Sequence, residues 1–232
     1  MIKMKYLISL ALVVTLSTAA LSQSDQDRLQ QPDLPGDISV DIGLTFLGNS
    51  EDFLQSKVWP SRVAGIHYMY THKLSDRFTV NPALGFGMDR IGLEDNVNFL
   101  RDSLYAYRLD TIQDLALKKN LLMFTYLELP VELRYYPFKT VKGEGFFVGV
   151  GAFAGLRIGS QTKVKYEFDN QNRVERHKAD YGLNQFRYGV QAHIGWKQFS
   201  VFGKYYLNDL FEVQPAGANP SQFTFGLNFT GF

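Results

Sequence analysis

Charged side chains alternate along one segment, which places them on one side of an extended chain. Glu128, Glu132 and Arg134 are four and two residues apart, and successive residues of a β-strand point to opposite faces. Carboxylates and a guanidinium on one face can transfer protons, line an ion path, or neutralise one another in a packed interior. We expect the third outcome, because mutual ion pairing is the least costly arrangement for charges withdrawn from water.

The same alternation assigns further polar side chains to this enclosed face. The set expected there, as a structural charge network, is Asp41, His67, Glu128, Glu132, Arg134, Arg157, Arg187, His193 and Lys204. Its two histidines fall on different segments, and their spacing does not indicate a metal site. We therefore predict neither a metal nor a cofactor.

Ser160, His177 and Asp180 are the residues whose types would suit an acyl hydrolase or transferase. All three fall in one predicted loop, and their separation forms no recognisable catalytic motif. We predict that the protein is not an enzyme and assign no catalytic residue. A lipid-modifying enzyme that depends on His177 is kept as an alternative.

The elements that carry these side chains are strands, because apolar residues recur with a period of two. One face of each segment is apolar and nearly free of charge, whereas the other is rich in glycine with scattered charges. In the seventh segment the phase is ambiguous, and we choose Val201, Gly203, Tyr205 and Leu207 as its apolar face. The eight segments span about residues 38–46, 63–74, 77–89, 121–136, 146–158, 185–197, 199–207 and 222–230.

The connections between these segments alternate in length. They are long at about 49–61, 90–120, 159–184 and 208–221, and short at 75–76, 139–144 and 198. This alternation is typical of a transmembrane barrel with both termini in the periplasm. The predicted fold is all-β, an eight-stranded antiparallel up-and-down transmembrane β-barrel with short periplasmic turns and long extracellular loops. Its apolar faces would contact lipid, whereas a soluble lipocalin-type barrel would turn them inward.

Composition excludes several other classes. The 232 residues include no cysteine, and 24 basic residues balance 23 acidic ones. A disulfide framework is therefore excluded, and no broad electrostatic argument favours nucleic acid as a partner.

The N-terminus predicts export. Lys3 and Lys5 precede an apolar run over 6–16 and small residues over 17–22, the pattern of a cleaved secretory (Sec) signal peptide. We expect localisation to the outer membrane of a Gram-negative bacterium. The predicted domains are a signal peptide at 1–22, a periplasmic leader at 23–36 and an outer-membrane β-barrel at 37–232.

Three positions do not fit a regular barrel. Pro82 and Pro130 fall within predicted strands and lack the N–H of a ladder bond, so we expect a bulge there or a position above the membrane. The terminal Phe232 has the opposite parity to Phe229, which predicts a bulge or register change at Gly231.

Four motifs resemble successive segments of the PorT-like outer-membrane β-barrel family of Bacteroidetes (porin family). They are FTVNPALGF at 78–86, YLELPVELRY at 126–135, GFFVGVG at 145–151 and YYLNDLF at 205–211. The resemblance implies an eight-stranded outer-membrane barrel and makes both strand prolines expected. The founding member of that family belongs to a gliding and type IX secretion apparatus, and most members have no assigned activity.

Two loops are candidates for function. Loop 90–120 contains more apolar residues than a simple solvated turn would have. The KVKYEF alternation in loop 159–184 predicts a protruding hairpin. We expect a non-enzymatic scaffold or binding protein at the cell surface, with outer-membrane lipid around it and a protein partner at these loops. A small-solute channel is the first alternative, although eight strands leave an interior that side chains fill.

Overall fold

The computed structural model describes residues 35–48, 56–93, 97–101, 107–111, 117–138, 145–168, 171–212 and 219–231. The predicted signal peptide and all but the last two residues of the predicted leader lie outside these ranges. From Gly36 onward the chain forms one compact unit. Within the described ranges, no helix has the length and apolarity needed to cross a membrane.

The described residues form strands connected by turns. Their bounds are β1 (Asp37–Gly48), β2 (Ser56–Met69), β3 (His72–Lys73), β4 (Phe78–Leu93), β5 (Val97–Arg101), β6 (Tyr107–Thr111), β7 (Leu117–Tyr135), β8 (Phe146–Phe168), β9 (Gln171–Lys178), β10 (Phe186–Trp196), β11 (Phe199–Tyr206) and β12 (Ser221–Thr230). The eight predicted segments correspond to β1, β2, β4, β7, β8, β10, β11 and β12. In the structure several of these strands are longer at one end than the predicted segments.

Eight strands close into a barrel in the order β1, β2, β4, β7, β8, β10, β11, β12, and β12 pairs with β1. All of these pairings are antiparallel, so the predicted eight-stranded up-and-down barrel is confirmed. Strand β3 pairs with β4 next to β2, β5 and β6 form a separate two-stranded sheet, and β9 extends the sheet from β8.

The outer surface of the barrel is apolar, as the alternation predicts. Leu84, Leu129 and Val150 are 52%, 53% and 58% exposed, while Asp89 of β4 and Glu128 of β7 are buried inside. On β11, Val201 and Tyr205 are exposed, which confirms the predicted phase of that strand. Side chains that expose this much apolar area around a closed sheet require lipid rather than water as their solvent.

The two ends of the barrel differ. The turn end carries both barrel termini and the short connections, and the loop end carries the long ones; in outer-membrane barrels the loop end is extracellular. At the loop end β4, β7 and β8 continue past the apolar surface, and β8 pairs with β9. The predicted protruding hairpin is therefore confirmed. We call the part formed by 90–93, 117–125, 159–168 and 171–178 the extracellular sheet.

The bulge expected at the prolines is not observed. Tyr70, which lies between β2 and β3, donates its N–H to the carbonyl of Pro82 at 2.9 Å, and the proline has no N–H to return. Pairing of β4 with β7 is interrupted between Pro82 and Gly85, opposite Pro130, yet the register continues unchanged. The barrel thus loses ladder bonds locally and keeps its alignment, because a missing donor removes a bond without adding a residue.

The end of the last strand is irregular at the predicted position. Strand β12 ends at Thr230, and Gly231 has a φ of 97°, a conformation that side chains with a Cβ rarely adopt. Phe232 lies outside the described residues.

Candidate functional site

The middle of the lumen is occupied by a connected set of buried charges. Arg187 on β10 contacts Asp89 on β4, with 2.6 Å between Nη1 and Oδ2, and its Nη2 contacts Glu128 on β7. The Lys204 Nζ on β11 lies 3.0 Å from Asp41 Oδ2 and 3.5 Å from Glu128 Oε2. We call these five residues, with His67, the charged layer. Five different strands supply its charges, so the layer ties distant parts of the barrel together.

Further polar groups complete the layer. His67 Nε2 lies 3.0 Å from Glu128 Oε2, and its Nδ1 lies 3.8 Å from Asp41 Oδ2. Asn228 donates to Asp41 Oδ1 at 2.6 Å, and Gln222 donates to Asp89 Oδ1 at 2.9 Å. Carboxylates buried this deeply need several donors each, because they are shielded from bulk water.

A second charged group lies nearer the turn end. Arg134 donates to both carboxylate oxygens of Glu132, at 3.0 and 3.2 Å. The Arg134 guanidinium also lies 4.5 Å from the ring centroid of Phe147. His193 Nδ1 is 3.4 Å from Glu132 Oε2. An added Cβ at Gly149 would overlap this carboxylate, so the absence of a side chain there makes room for the pair.

Arg157 is placed apart from both groups. It forms an ion pair with Asp180 and donates to Ser160 Oγ at 3.1 Å, at the loop end. Ser160 donates to the carbonyl of Ala179 at 2.5 Å, and His177 Nδ1 lies 3.1 Å from the Tyr181 hydroxyl. The serine, histidine and aspartate of the enzyme alternative therefore have other partners, and no nucleophile–base pair joins them.

Sequence analysis missed Asp89, which is fully buried at the centre of the charged layer. Asp89 is two residues after Gly87 and four after Gly85, which were placed on the enclosed face. The same alternation, followed to the end of the segment, would have placed Asp89 there as well. Tyr126 and Tyr206 were missed as well; their rings lie 3.9 and 5.3 Å from the Arg187 guanidinium carbon. Nothing in the spacing of these two residues indicates such contacts.

Beyond the charged layer, toward the loop end, the lumen becomes apolar. Ile91 and Leu93 of β4 and Leu122 and Phe124 of β7 continue the inward alternation, and all four are buried. Tyr126 of β7 belongs to the same cluster, and connecting segments supply its other members, Tyr181, Leu183, Leu210 and Phe211. We call this cluster the apolar plug.

Backbone bonds hold the connecting segments in the mouth of the barrel. Leu183 and Phe211 form a β-bridge, and Glu212 N–H donates to the carbonyl of Gly182 at 2.8 Å. Tyr181 has a φ of 58°, and the Tyr126 hydroxyl donates to the carbonyl of Asn184 at 2.6 Å. The segments after β9 and β11 thus enter the lumen as paired structure and close it with apolar side chains.

Little free volume remains among the described side chains at the middle of the lumen. A cavity lined by Gln191 and His193, among others, has a volume of about 20 Å³, which accommodates about one water molecule. No cluster of three or more potential metal ligands occurs in the described part of the chain. The described side chains of the lumen have the geometry of a packed interior.

The extracellular sheet is the other prominent feature. All eight residues of β9 are exposed, and β9 pairs with β8 along one edge only, as far as the described strands go. Its second edge therefore presents backbone donors and acceptors above the barrel, where an added strand could pair with them.

Comparison with solved structures finds barrels of low sequence identity. Ail, the attachment invasion locus protein of Yersinia pestis, is 12% identical over 85% of this chain and 99% of that chain, with a TM-score of 0.37. An outer membrane channel from Pseudomonas putida F1 is 11% identical over 90% and 99% of the two chains, with a TM-score of 0.28. No curated protein matches the chain.

A family model settles the wider relationship. The model described as outer membrane protein beta-barrel domain matches residues 23–212, which includes seven of the eight barrel strands and both layers of the lumen. An apolar exterior, a closed antiparallel sheet and this match agree with one another. The chain belongs to the outer membrane protein beta-barrel domain family.

Proposed function

We propose that this outer-membrane barrel is a non-enzymatic binding or scaffold protein of the cell surface. The observation that carries the proposal is the filled lumen: a charged layer at its middle and an apolar plug at its extracellular mouth. A barrel whose interior is packed in this way has its outer and extracellular surfaces available for function.

The edge of β9 is the part of the extracellular surface best suited to a protein partner. It is an exposed strand edge without a partner strand among the described elements. An extended segment of another protein can add to such an edge through main-chain hydrogen bonds. We assign the partner-binding role to this edge.

A pull-down from native outer membranes tests the proposal. The variant replaces 163–176 by Asn-Gly, which joins Thr162 to His177, two residues that face each other across β8 and β9, through a tight turn. We expect a stoichiometric partner with the wild type and none with the variant. The control exchanges the exposed turn-end residues Lys73 and Arg77 for glutamine. Equal recovery with both variants, or no partner at all, would contradict the proposal.

The channel alternative makes an opposite prediction. Single-channel recordings on the refolded barrel in a planar bilayer should show no steady conductance, because a lumen filled by the charged layer and the apolar plug would hold no water-filled path. Steady conductance through the wild-type protein would support the channel and refute the packed interior.

The motif resemblance to the PorT-like family supports a narrower form of the proposal, in which the partner is a component of a secretion apparatus. Identification of the recovered partner by mass spectrometry tests this form. A partner without any connection to secretion would leave only the general binding role.

A further inference from the structure

The outward face of the extracellular sheet and of the adjoining first part of β2 carries only one sign of charge over three successive rows of residues. Directly opposed residues on antiparallel strands share a face, so the register defines each row. The first row is Arg62, Arg90, Met123, Gln161 and Lys178; the second is Lys57, Gly92, Leu121, Lys163 and Arg176; the third is Lys119, Lys165 and Val174. These rows contain eight cations and no carboxylate. We call them the basic face.

Like charges stand directly opposite one another in this face. The register pairs Arg62 with Arg90, Lys163 with Arg176 and Lys119 with Lys165. Directly opposed like charges destabilise a sheet. Within the described ranges, none of the eight cations forms an ion pair with a carboxylate. Glu167 lies in the next row toward the hairpin tip, and Glu175 lies on the other face. An anion from outside the described residues would relieve this repulsion.

The position of the basic face indicates where that anion comes from. Arg90 follows the lipid-facing Met88 by two residues on the same side of β4, about 7 Å along a strand. Trp59, 75% exposed, lies beside the first row, and the Arg62 guanidinium carbon is 5.3 Å from its ring centroid. Exposed tryptophan marks the level of lipid headgroups in membrane proteins. The basic face is therefore continuous with the lipid-contacting surface and begins at headgroup depth.

We propose that the basic face binds the phosphorylated headgroup of a glycolipid in the outer leaflet of the outer membrane. Five of its cations are exposed and three are partly exposed, so the headgroup can reach them from the side while its acyl chains contact the barrel below. Phosphate groups accept charge-assisted hydrogen bonds from both lysine and arginine. This site shares β9 with the partner-binding edge, but it uses side chains on the outward face of that strand rather than its backbone groups, and it does not depend on a protein partner.

Fluorescence of Trp59 reports on binding. The chain has two tryptophans, so Trp196→Phe leaves Trp59 as the only one. The mature barrel in neutral maltoside micelles is titrated with diphosphoryl lipid A and, separately, with the same lipid after removal of its phosphates. We expect saturable binding of the phosphorylated lipid and at least tenfold weaker binding of the dephosphorylated lipid. Added salt should weaken the binding of the phosphorylated lipid.

The decisive variant exchanges Lys119, Lys163, Lys165 and Arg176 for glutamine. Binding of diphosphoryl lipid A should weaken at least tenfold, whereas a matched variant with Lys73, Arg77 and Lys197 exchanged at the turn end should bind as the parent does. Heat-modifiable electrophoretic migration confirms that each variant is folded. Unchanged binding by the fourfold variant, or equal affinity for the lipid without phosphates, would overturn the proposal.

Two further probes separate other sources of anion. Inorganic phosphate alone at millimolar concentration should leave the Trp59 signal unchanged; saturation by it would assign the site to a small free anion. Polyglutamate should bind more weakly than the lipid. Stronger binding of polyglutamate, lost in the fourfold variant, would assign the face to an acidic polypeptide and refute the lipid assignment.

Discussion

The charged layer and the apolar plug fill two levels of one lumen by opposite means. In the charged layer each group is fixed by particular partners, as Arg187 is by Asp89 and Glu128. In the plug, Leu183 and its neighbours are buried among apolar side chains. Removing one partner from the first leaves a buried charge exposed to low dielectric, whereas removing atoms from the second leaves a cavity. The two levels should therefore respond differently to substitutions of similar size.

The largest effect is expected from Arg187→Met. The substitution removes the common partner of two buried carboxylates, and loss of one member of a buried ion-pair network costs about 3–5 kcal/mol. Denaturant unfolding of the barrel reconstituted in vesicles measures the change. Adding Asp89→Asn and Glu128→Gln should restore part of the lost stability, because the uncompensated charges are removed. A loss under about 1 kcal/mol for Arg187→Met would mean that water reaches the layer.

A smaller loss is expected in the plug. Leu183→Ala should destabilise the barrel by about 3 kcal/mol through lost burial and cavity formation. Leu183→Met nearly conserves the volume and should cost less than about 1.5 kcal/mol. The same unfolding assay compares the two. If Leu183→Met lowered the free energy of unfolding as much as Leu183→Ala does, the plug would depend on the exact shape of this side chain. The plug would then resemble the charged layer, in which each group needs particular partners.

A glycine substitution beside the charged layer tests how tightly that layer is packed. An added Cβ at Gly87 would lie 2.7 Å from Arg187 Nη2 and 2.8 Å from Glu128 Cδ, so Gly87→Ala should cost about 1–3 kcal/mol by displacing this pair. At Gly203, on the outer surface, the nearest atom would be 3.8 Å away, and Gly203→Ala should be nearly neutral. Equal effects in denaturant unfolding would show that the layer is loosely packed.

The smallest effect lies outside the lumen, in the hairpin. The Tyr166 hydroxyl donates to Glu175, and this hydrogen bond raises the pKa of the phenol above its ordinary value. Because the neutral phenol is favoured in the folded hairpin, its contribution is present below the unfolded pKa and is lost as pH rises through the folded pKa. The difference in phenolate absorbance between the wild type and the Tyr166→Phe variant, followed against pH, gives the titration curve of Tyr166. Its midpoint should fall in a Glu175→Gln background, and an unchanged midpoint would exclude the hydrogen bond.

The order of these effects tests where the rigidity of the barrel originates. If Arg187→Met exceeds Leu183→Ala, and both exceed Gly87→Ala, the charged layer is the more demanding level. A reversed order would place the main stabilisation in the plug.

The strands and their lipid-facing side could be predicted because alternation is a local property. Two neighbouring residues such as Glu128 and Leu129 must point to opposite faces, whichever strands flank them. The predicted segments stopped short of the loop-end parts of β2, β4, β7 and β8. Beyond the membrane the outward residues of β4 and β8 include cations such as Arg90 and Lys163, and inward residues such as Ile91 are apolar, so the polarity of the two faces reverses although the strands continue.

The pairings inside the lumen could not be predicted. Arg187 and Asp89 are 98 residues apart, and only the shear and closure of the sheet bring their strands to the same level. The partners of Arg157 could not be predicted either. Its position in the alternation placed it on the enclosed face, but its partners, Asp180 and Ser160, lie at the mouth of the barrel.

The sequence by itself determined that strands cross a membrane and which of their faces meets lipid, because these follow from a period of two and the cost of placing charge in hydrocarbon. Only the tertiary structure decided which charges meet, that Leu183 and Phe211 enter the lumen, and that eight cations gather on one face. Those outcomes depend on register between distant strands and on the paths of connecting segments, and a one-residue shift would change every one of them.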